Sequence, residues 1–477
     1  MTVKAELKTE LLPHQAAAVA KLRRLKVGAL FMEQGTGKTR TALELVKLRL
    51  DAGKIDRVVW LCPCSVKRNL ALDIRKHANI ESGVITICGI ETLSGSVKTA
   101  AELLEVAGAH KTMLIVDESS LIKNPNAIRS QRITALAGKC PYRTILNGTP
   151  VSRTEADLFQ QFYILDWRIL GYRSYYSFAA NHLEYDEKFR GKIRRVLNKD
   201  YLSDKIAPYT FQIKKDECLT LPEKCERIIR FDLTETQKAH YEEVAERFLD
   251  LEMLADEVGN SAFIYKVLTA LQQVSSGQRI LSGPLEPMRR TPFFADPEDN
   301  PRIRALMEVI AETDGKAVIW CRFSDEIRDV LTVLERHGLS AVRFDGSVSQ
   351  RARQVNLEAF AADTRFLVAN KSCAGYGLNL QFCRNAIYYD NDWNWGTRAQ
   401  SEDRLHRIGQ TDTVMLYDIA ANCSIDERIL DCLSRKGDMA DEFKRAINAR
   451  NLSDWLAKRA ESDLLDAGGG NAESIPH

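Results

Sequence analysis

The residues best suited to chemistry are Lys38 and Thr39, near the end of the stretch MEQGTGKTR at 32–40. Gly35 and Gly37, with Thr36 between them, let the backbone curl so that its N–H groups face inward. A helix opening just after them adds partial positive charge, and a phosphate fits both features. In that arrangement Lys38 reaches the β- and γ-phosphates of a nucleotide, Thr39 ligates Mg2+, and Arg40 lies within the same nucleotide-binding set. Met32 stands where the general phosphate-loop pattern has its first Gly. A second cluster, TMLIVDESS at 112–120, is an apolar run ending in paired carboxylates. Asp117 there suits Mg2+, and Glu118 is placed to orient and polarise an attacking water. A third, RTILNGTPV at 143–151, brings Gly148, Thr149 and Pro150 into a tight turn. Beside the other two clusters it reads as a sensor of the γ-phosphate.

The fourth cluster is QSEDRLHRIGQ at 400–410. Read as a helix, it puts Gln400, Arg404 and Arg407 on one face, because i, i+4 and i+7 align. Two guanidiniums on one face call for an anion, and a bound triphosphate supplies it. As arginine fingers the pair would contribute about 10³–10⁵ in rate. The bland alternative is a solvated basic helix. Upstream, Gln15 in LLPHQ at 11–15 is read as a contact to the adenine edge.

These clusters need a scaffold, and the hydropathy pattern provides one. From 25 to 150, the runs GALF, RVVWLC, GVITIC, KTMLIVDE and YRTILN read as strands separated by amphipathic helices. Nearly continuous apolar strands alternating with helices predict a parallel sheet covered on both faces. The rhythm returns after 301 in KAVIWC, AVRFDG, RFLVAN, AIYYDN and VMLYDI. Helices are expected there over 324–338, 349–363 and 397–409. The fold class is therefore α/β, with two lobes. The stretch 155–295, rich in aromatics and helical periodicity, reads as helical insertions, with a Pro-rich loop at 282–301 and a disordered tail.

Composition narrows the partners. The formal charge of the 477 residues is +2, so a nucleic-acid partner needs local basic patches. The eleven cysteines form no disulfide framework, which fits a reducing compartment. Cys62 and Cys64 in CPC lack companion ligands and are read as packing. The start is polar, and no apolar run approaches the roughly 20 residues of a membrane span.

In order along the chain, LLPHQ, MEQGTGKT, LCPCSVKRN, DESSLIKNPN, LNGTPV, VRFDGSVSQRARQ, NKSCAGYGLNLQFC, YYDNDWNW and QSEDRLHRIGQ resemble the motif series of the Swi/Snf branch of superfamily two helicase-like ATPases. The resemblance covers about 1–435. It implies two RecA-like lobes: 1–154 binding ATP, 155–230 a helical insertion, 231–300 a helical insertion and linker, 301–435 the second lobe, and 436–477 a helix and tail. It implies ATP and Mg2+ as cofactors and translocation on double-stranded DNA without strand separation, by a monomer that acts on DNA or on DNA-bound proteins. Alternatives are a strand-separating DNA or RNA helicase and a binding module with a decayed ATPase. By the same resemblance Lys38, Thr39, Asp117 and Glu118 carry phosphate, metal and water, with Gln15 on adenine. Arg404 and Arg407 act as fingers, and Gly377, Leu378 and Asn379 couple nucleotide to backbone. Ser120 replaces a family His that links hydrolysis to the other motifs, and Asn147 stands where the family usually has Thr.

Ser65, Lys67, Arg68, Lys123, Asn124, Lys371, Ser372, Asn379 and Trp395 are the expected DNA contacts, with a further basic cluster at Lys188, Arg190, Lys192, Arg194 and Arg195. Trp393 is expected to brace a loop. The compact chain points to a bacterial or virus-encoded cytoplasmic protein rather than a nuclear one.

Overall fold

A computed structural model of the chain describes residues 5–148, 150–151, 154–185, 193–249, 261–371 and 378–436. The described chain divides into two compact units that part at Leu221 and Pro222.

The first unit is built on six parallel strands: β1 (Val27–Met32), β2 (Arg57–Cys62), β3 (Ile85–Gly89), β4 (Thr112–Asp117), β5 (Tyr142–Asn147) and β6 (Thr210–Ile213). Their order across the sheet is β6-β1-β5-β4-β2-β3. Successive side chains go to opposite faces, and both faces are buried. Ala29, Phe31, Val59, Leu61, Leu114 and Val116 pack into one core, and Leu30, Met32, Val58, Trp60, Met113 and Ile115 into the other. That is why these strands read as unbroken apolar runs.

The aromatic stretch after 155, read as a helical insertion, packs its first helices onto the first sheet. Helix α6 (Leu158–Leu170), together with the helix Tyr175–His182, supplies Phe159, Phe162 and Phe178 to the first of those cores. Phe162 meets Phe31 edge-on with centroids 5.9 Å apart. Earlier helices of this unit are α1 (Pro13–Leu22), α2 (Lys38–Asp51), α3 (Lys67–His77), α4 (Val97–Ala109) and α5 (Ile128–Ala137).

The second unit repeats the plan with β7 (Lys224–Phe231), β8 (Ala317–Cys321), β9 (Ala341–Phe344), β10 (Phe366–Asn370), β11 (Asn385–Tyr388) and β12 (Val414–Ala421), ordered β7-β12-β11-β8-β10-β9 and all parallel. The division expected at 230 therefore cuts the end of β7, a strand of the second sheet. The section 155–230 carries an edge strand of each sheet, β6 and β7, because both pair with strands remote in sequence. The Pro-rich stretch 282–301 is also less of a loop than expected, since Arg290–Pro292 pairs with Gln278–Ile280. The expected tail falls almost wholly outside the described residues. Among the described residues, no helix is long and apolar enough to cross a membrane.

Helices α7 (Glu235–Leu249), α8 (Ser261–Ser275), α9 (Pro301–Glu312), α10 (Ser324–Arg336), α11 (Gln350–Ala361), α12 (Trp395–Glu402) and α13 (Ile425–Ser434) complete the unit. One buried cation ties several of them together. The Arg302 guanidinium on α9 donates to Tyr389 O at 2.6 Å and to Ser275 Oγ at 3.2 Å, and it pairs with the Asp426 carboxylate on α13. A charge so buried persists only because each of its N–H groups meets an oxygen. Replacing Arg302 by Met leaves Asp426 buried without its cation, so the second unit should lose about 3–5 kcal/mol. Its denaturant midpoint reads that loss, and a change under about 1 kcal/mol would contradict the tie.

Candidate active site

The register of the first sheet assembles the site. Phe31 on β1 lies opposite Asn147 on β5, and Asp117 on β4 lies opposite Leu146. The C-terminal ends of β1, β5 and β4 are therefore level and adjacent. In open parallel sheets this is the edge where ligands bind.

Off β1 comes the loop 33–37. Gly35 and Gly37 take φ of 84° and 86°, a region that costs other residues a Cβ clash. At Gly37 a Cβ would also lie 2.1 Å from Gln15 Nε2, so only glycine fits. Thr36 is buried, its hydroxyl donates to Glu33 O at 2.7 Å, and its carbonyl receives His14 Nε2 at 2.8 Å and Gln15 Nε2 at 3.1 Å. Lys38 opens α2 and lays its ammonium on Met32 O at 2.8 Å. No acidic residue occupies the first turn of α2. A left-handed glycine loop running into an unopposed helix N-terminus fits a phosphate.

Two of the expected nucleotide contacts are corrected. Gln15 spends both ends of its amide inside the protein, because Oε1 accepts from Leu12 N at 3.1 Å while Nε2 holds the loop. Its place is under the phosphate loop, shaping it. Arg40 is buried and points back to the N-terminal segment. Its Nη2 donates to Thr9 O at 2.7 Å and its Nη1 pairs with Glu44 at 3.0 Å. A fork engaged with a carbonyl and a carboxylate is not available to a phosphate. Sequence reasoning missed His14, although it adjoins Gln15 in the same motif.

At the end of β4, burial first and the neighbouring Glu118 carboxylate second push the Asp117 carboxyl up to about 7, against the pull of Lys38. Two adjoining acids of this kind fit a divalent cation, which relieves both the desolvation and the repulsion. Glu118 takes φ 51° and ψ 53°, a left-handed conformation that a non-glycine residue adopts at a cost of about 1 kcal/mol or more. It turns the chain out of the sheet. Its Oε1 receives Gln34 Nε2 from the phosphate loop at 3.5 Å. Thr39, on the first turn of α2, is half-buried.

At the end of β5, Gly148 presses on the same loop. A Cβ there would sit 3.2 Å from Gln34 Cγ and 3.6 Å from Lys38 Nζ. Thr149, the next residue of the expected sensor turn, lies outside the described residues.

The expected DNA contacts separate into three groups. Lys67 and Arg68 are exposed at the start of α3, and Ser65 is half-buried just before them. Asn124 is exposed, its Oδ1 accepting from Asn126 N at 2.9 Å, and Lys123 pairs with Asp157 at 3.3 Å. Arg194 and Arg195 of the basic cluster are exposed, while Lys188, Arg190 and Lys192 lie outside the described residues, as do Ser372 and Gly377.

One contact expected in the second unit is corrected. Lys371 is only 2% exposed, donates to the Asp390 carbonyl, and is pushed down to about 8 by burial. It is a core amine and not a surface grip. Trp395 is half-buried against the cluster of α7, α8 and α13. Trp393 braces, as expected: its Nε1 donates to Gln272 Oε1 at 2.7 Å, Tyr265 stacks on it at 5.5 Å, and the Arg322 guanidinium covers it at 3.6 Å.

The helix expected over 397–409 ends at Glu402. Turns follow, with Arg404 N bonded to Ser401 O at 3.3 Å, His406 Nε2 donating to Pro222 O at 2.8 Å, and Gly409 at φ 100°. Arg404 and Arg407 thus do not share a helical face with Gln400. Leu405 between them is fully buried, which fixes the turn, and Arg407 donates to the exposed Asn379. The helix itself is held by Arg398, fully engaged with Asp418 and Glu402.

Comparison with known families places these elements. The SNF2-related domain matches residues 80–288 and the helicase conserved C-terminal domain matches 301–409. The CHD3-type chromatin-remodeling factor PICKLE of Arabidopsis thaliana is 26% identical over 68% of this chain and 23% of its own length. The uncharacterized ATP-dependent helicase YqhH of Bacillus subtilis is 23% identical over 89% of this chain and 78% of its own. A solved Sulfolobus solfataricus SWI2/SNF2 ATPase core in complex with dsDNA aligns over 96% of this chain and 97% of that one, at 22% identity and a TM-score of 0.41. The chain spans less than a quarter of the Arabidopsis relative. With its SNF2-related domain followed by a helicase C-terminal domain, the chain belongs to the Swi/Snf branch of the superfamily two helicase-like ATPases, a family of ATP-hydrolysing enzymes.

Proposed function

We propose that the protein is a DNA-dependent ATPase that moves along double-stranded DNA and remodels DNA or protein–DNA complexes without separating the strands. The observation that carries this is the level alignment of three strand ends, which brings Lys38, Asp117, Glu118 and Gly148 together at one edge of the first sheet. Gly35, Thr36 and Gly37 supply the loop and Lys38 its cation. Thr39 and Asp117 would hold Mg2+, which when bound neutralises phosphate charge. Glu118 orients the attacking water and draws on its proton, while Gln34 steadies that carboxylate. Arg404 and Arg407 are assigned the finger role, stabilising charge on the transferring phosphoryl group.

Lys67 and Arg68, with Ser65, Asn124 and Asn379, are the backbone contacts that suit non-specific tracking. The name of the Arabidopsis relative supports a remodelling role. We place the protein in the cytoplasm, acting as a monomer; the Bacillus relative supports a bacterial setting.

Three measurements test this. Lys38→Ala should abolish DNA-stimulated ATP hydrolysis, and Glu118→Gln should cut turnover by about 10²–10⁴-fold while nucleotide still binds. Native turnover in either variant rejects the assignment. Displacement of a triplex-forming strand without duplex unwinding is the expected motor signature, and unwinding would favour a strand-separating helicase. On duplex DNA, Lys67→Ala and Arg68→Ala should each flatten the slope of log affinity against log salt by about 1. Lys371→Met should leave that slope unchanged, and a flattened slope would return Lys371 to the DNA face.

A further inference from the structure

Between the ends of β4 and β5 lies a buried polar group that the roles above do not use. Ser119, Asn147 and Gln161 are each fully buried. Gln161, on α6, accepts at Oε1 from Ser119 Oγ at 2.6 Å and from Asn147 Nδ2 at 3.5 Å. Its Nε2 donates to Pro150 O at 2.7 Å and to Asp157 O at 2.9 Å. Asn147 Nδ2 also reaches Ser119 Oγ at 3.4 Å. Only an amide can accept on one side and donate on the other in this way.

The neighbours of these groups give the arrangement its meaning. Ser119 follows the strained Glu118. Asn147 precedes Gly148, whose backbone presses on Gln34 and Lys38. Asp157 pairs with Lys123, one of the expected DNA contacts. A single side chain therefore touches the residue after the water-orienting carboxylate, the residue before the loop-facing glycine, and the residue that holds Lys123.

We propose that Gln161 is a positioning residue for ATP hydrolysis, setting the Glu118 turn relative to Asn147, to Pro150 and to the Lys123–Asp157 pair. This rests on the ATPase reading given above. It also assigns a linking role, in a chain with Ser at position 120, to the adjoining Ser119 and to Asn147. Because the network is buried, removing one partner takes hydrogen bonds from the others, whereas removing two together takes fewer from those that remain.

The test is steady-state ATPase kinetics of the full chain with and without duplex DNA, with the melting temperature measured in parallel. Gln161→Leu and Gln161→Glu should each lower DNA-stimulated kcat at least tenfold with KM for ATP within twofold, while the lost buried hydrogen bonds also lower the melting temperature. The near-isosteric glutamate variant decides the matter if the leucine variant fails to fold. Asn147→Thr combined with Gln161→Leu should recover at least threefold over Gln161→Leu alone. The proposal is overturned if both single variants keep kcat within twofold of native. It is equally overturned if kcat, KM and melting temperature deteriorate together without recovery in the double variant, since a purely structural role predicts that pattern. Lys38→Ala run alongside separates the two levels: retained turnover there removes the ATPase reading, whereas its loss beside a fully active Gln161→Leu removes only the positioning role.

Discussion

The site depends on the hydrogen-bond register of three parallel strands. Because Phe31 faces Asn147 and Asp117 faces Leu146, a glycine loop, a pair of acids and Gly148 leave the sheet at one height. A shift of one residue in any strand would carry its terminal group to the other face, since the side-chain period is two. Two buried cores, one on each face, fix that register more firmly than the polar groups could. The polar groups then divide the work. Gln15 and His14 hold the phosphate loop from beneath, Gly148 meets it from the side, and Glu118 accepts strain to turn its carboxylate out of the sheet.

The second unit solves a different problem. Its sheet carries buried charge at the strand ends: Arg302 with Asp426, Arg398 with Asp418 and Glu402, and Lys371 on the Asp390 carbonyl. Each ion is satisfied by fixed oxygens, so the segment between Asp390 and Glu402 is held by hydrogen bonds as well as by the packing of Trp393. That segment delivers the chain to Arg404 and Arg407. Their turn is set by a buried Leu405 and by Gly409, and needs no continuous helix.

The sheets and the phosphate loop were legible in the sequence because they follow from local rules: unbroken apolar runs flanked by helices, and glycines where a left-handed backbone is needed. Lys38, Asp117 and Glu118 are placed by those rules alone. What stayed hidden was side-chain direction. Arg40, Lys371 and Gln15 are polar residues in functional motifs, and nothing local says that Arg40 folds back on Thr9 or that Lys371 is swallowed by the core. Edge strands were hidden for a similar reason. Lys224–Phe231 mixes charged and apolar residues without strict alternation and resembles a linker until its partner, Val414–Ala421, is known. The helix over 397–409 failed because periodicity does not register a buried leucine that bends the chain.

That edge pairing has a consequence during synthesis. Lys224 leaves the ribosome 190 residues before Val414, the residue it pairs with. At about 5–20 residues per second, the strand waits on the order of 10–40 s without its neighbour. Its Ile228 and Ile229 are the kind of pair that recruits a stray strand, yet Glu226, Arg227 and Arg230 flank them as gatekeepers. Arg227 and Arg230 later meet Glu312 and Glu427 in the finished unit. The nascent chain thus carries its own protection against aggregation until the last strand of the second sheet arrives.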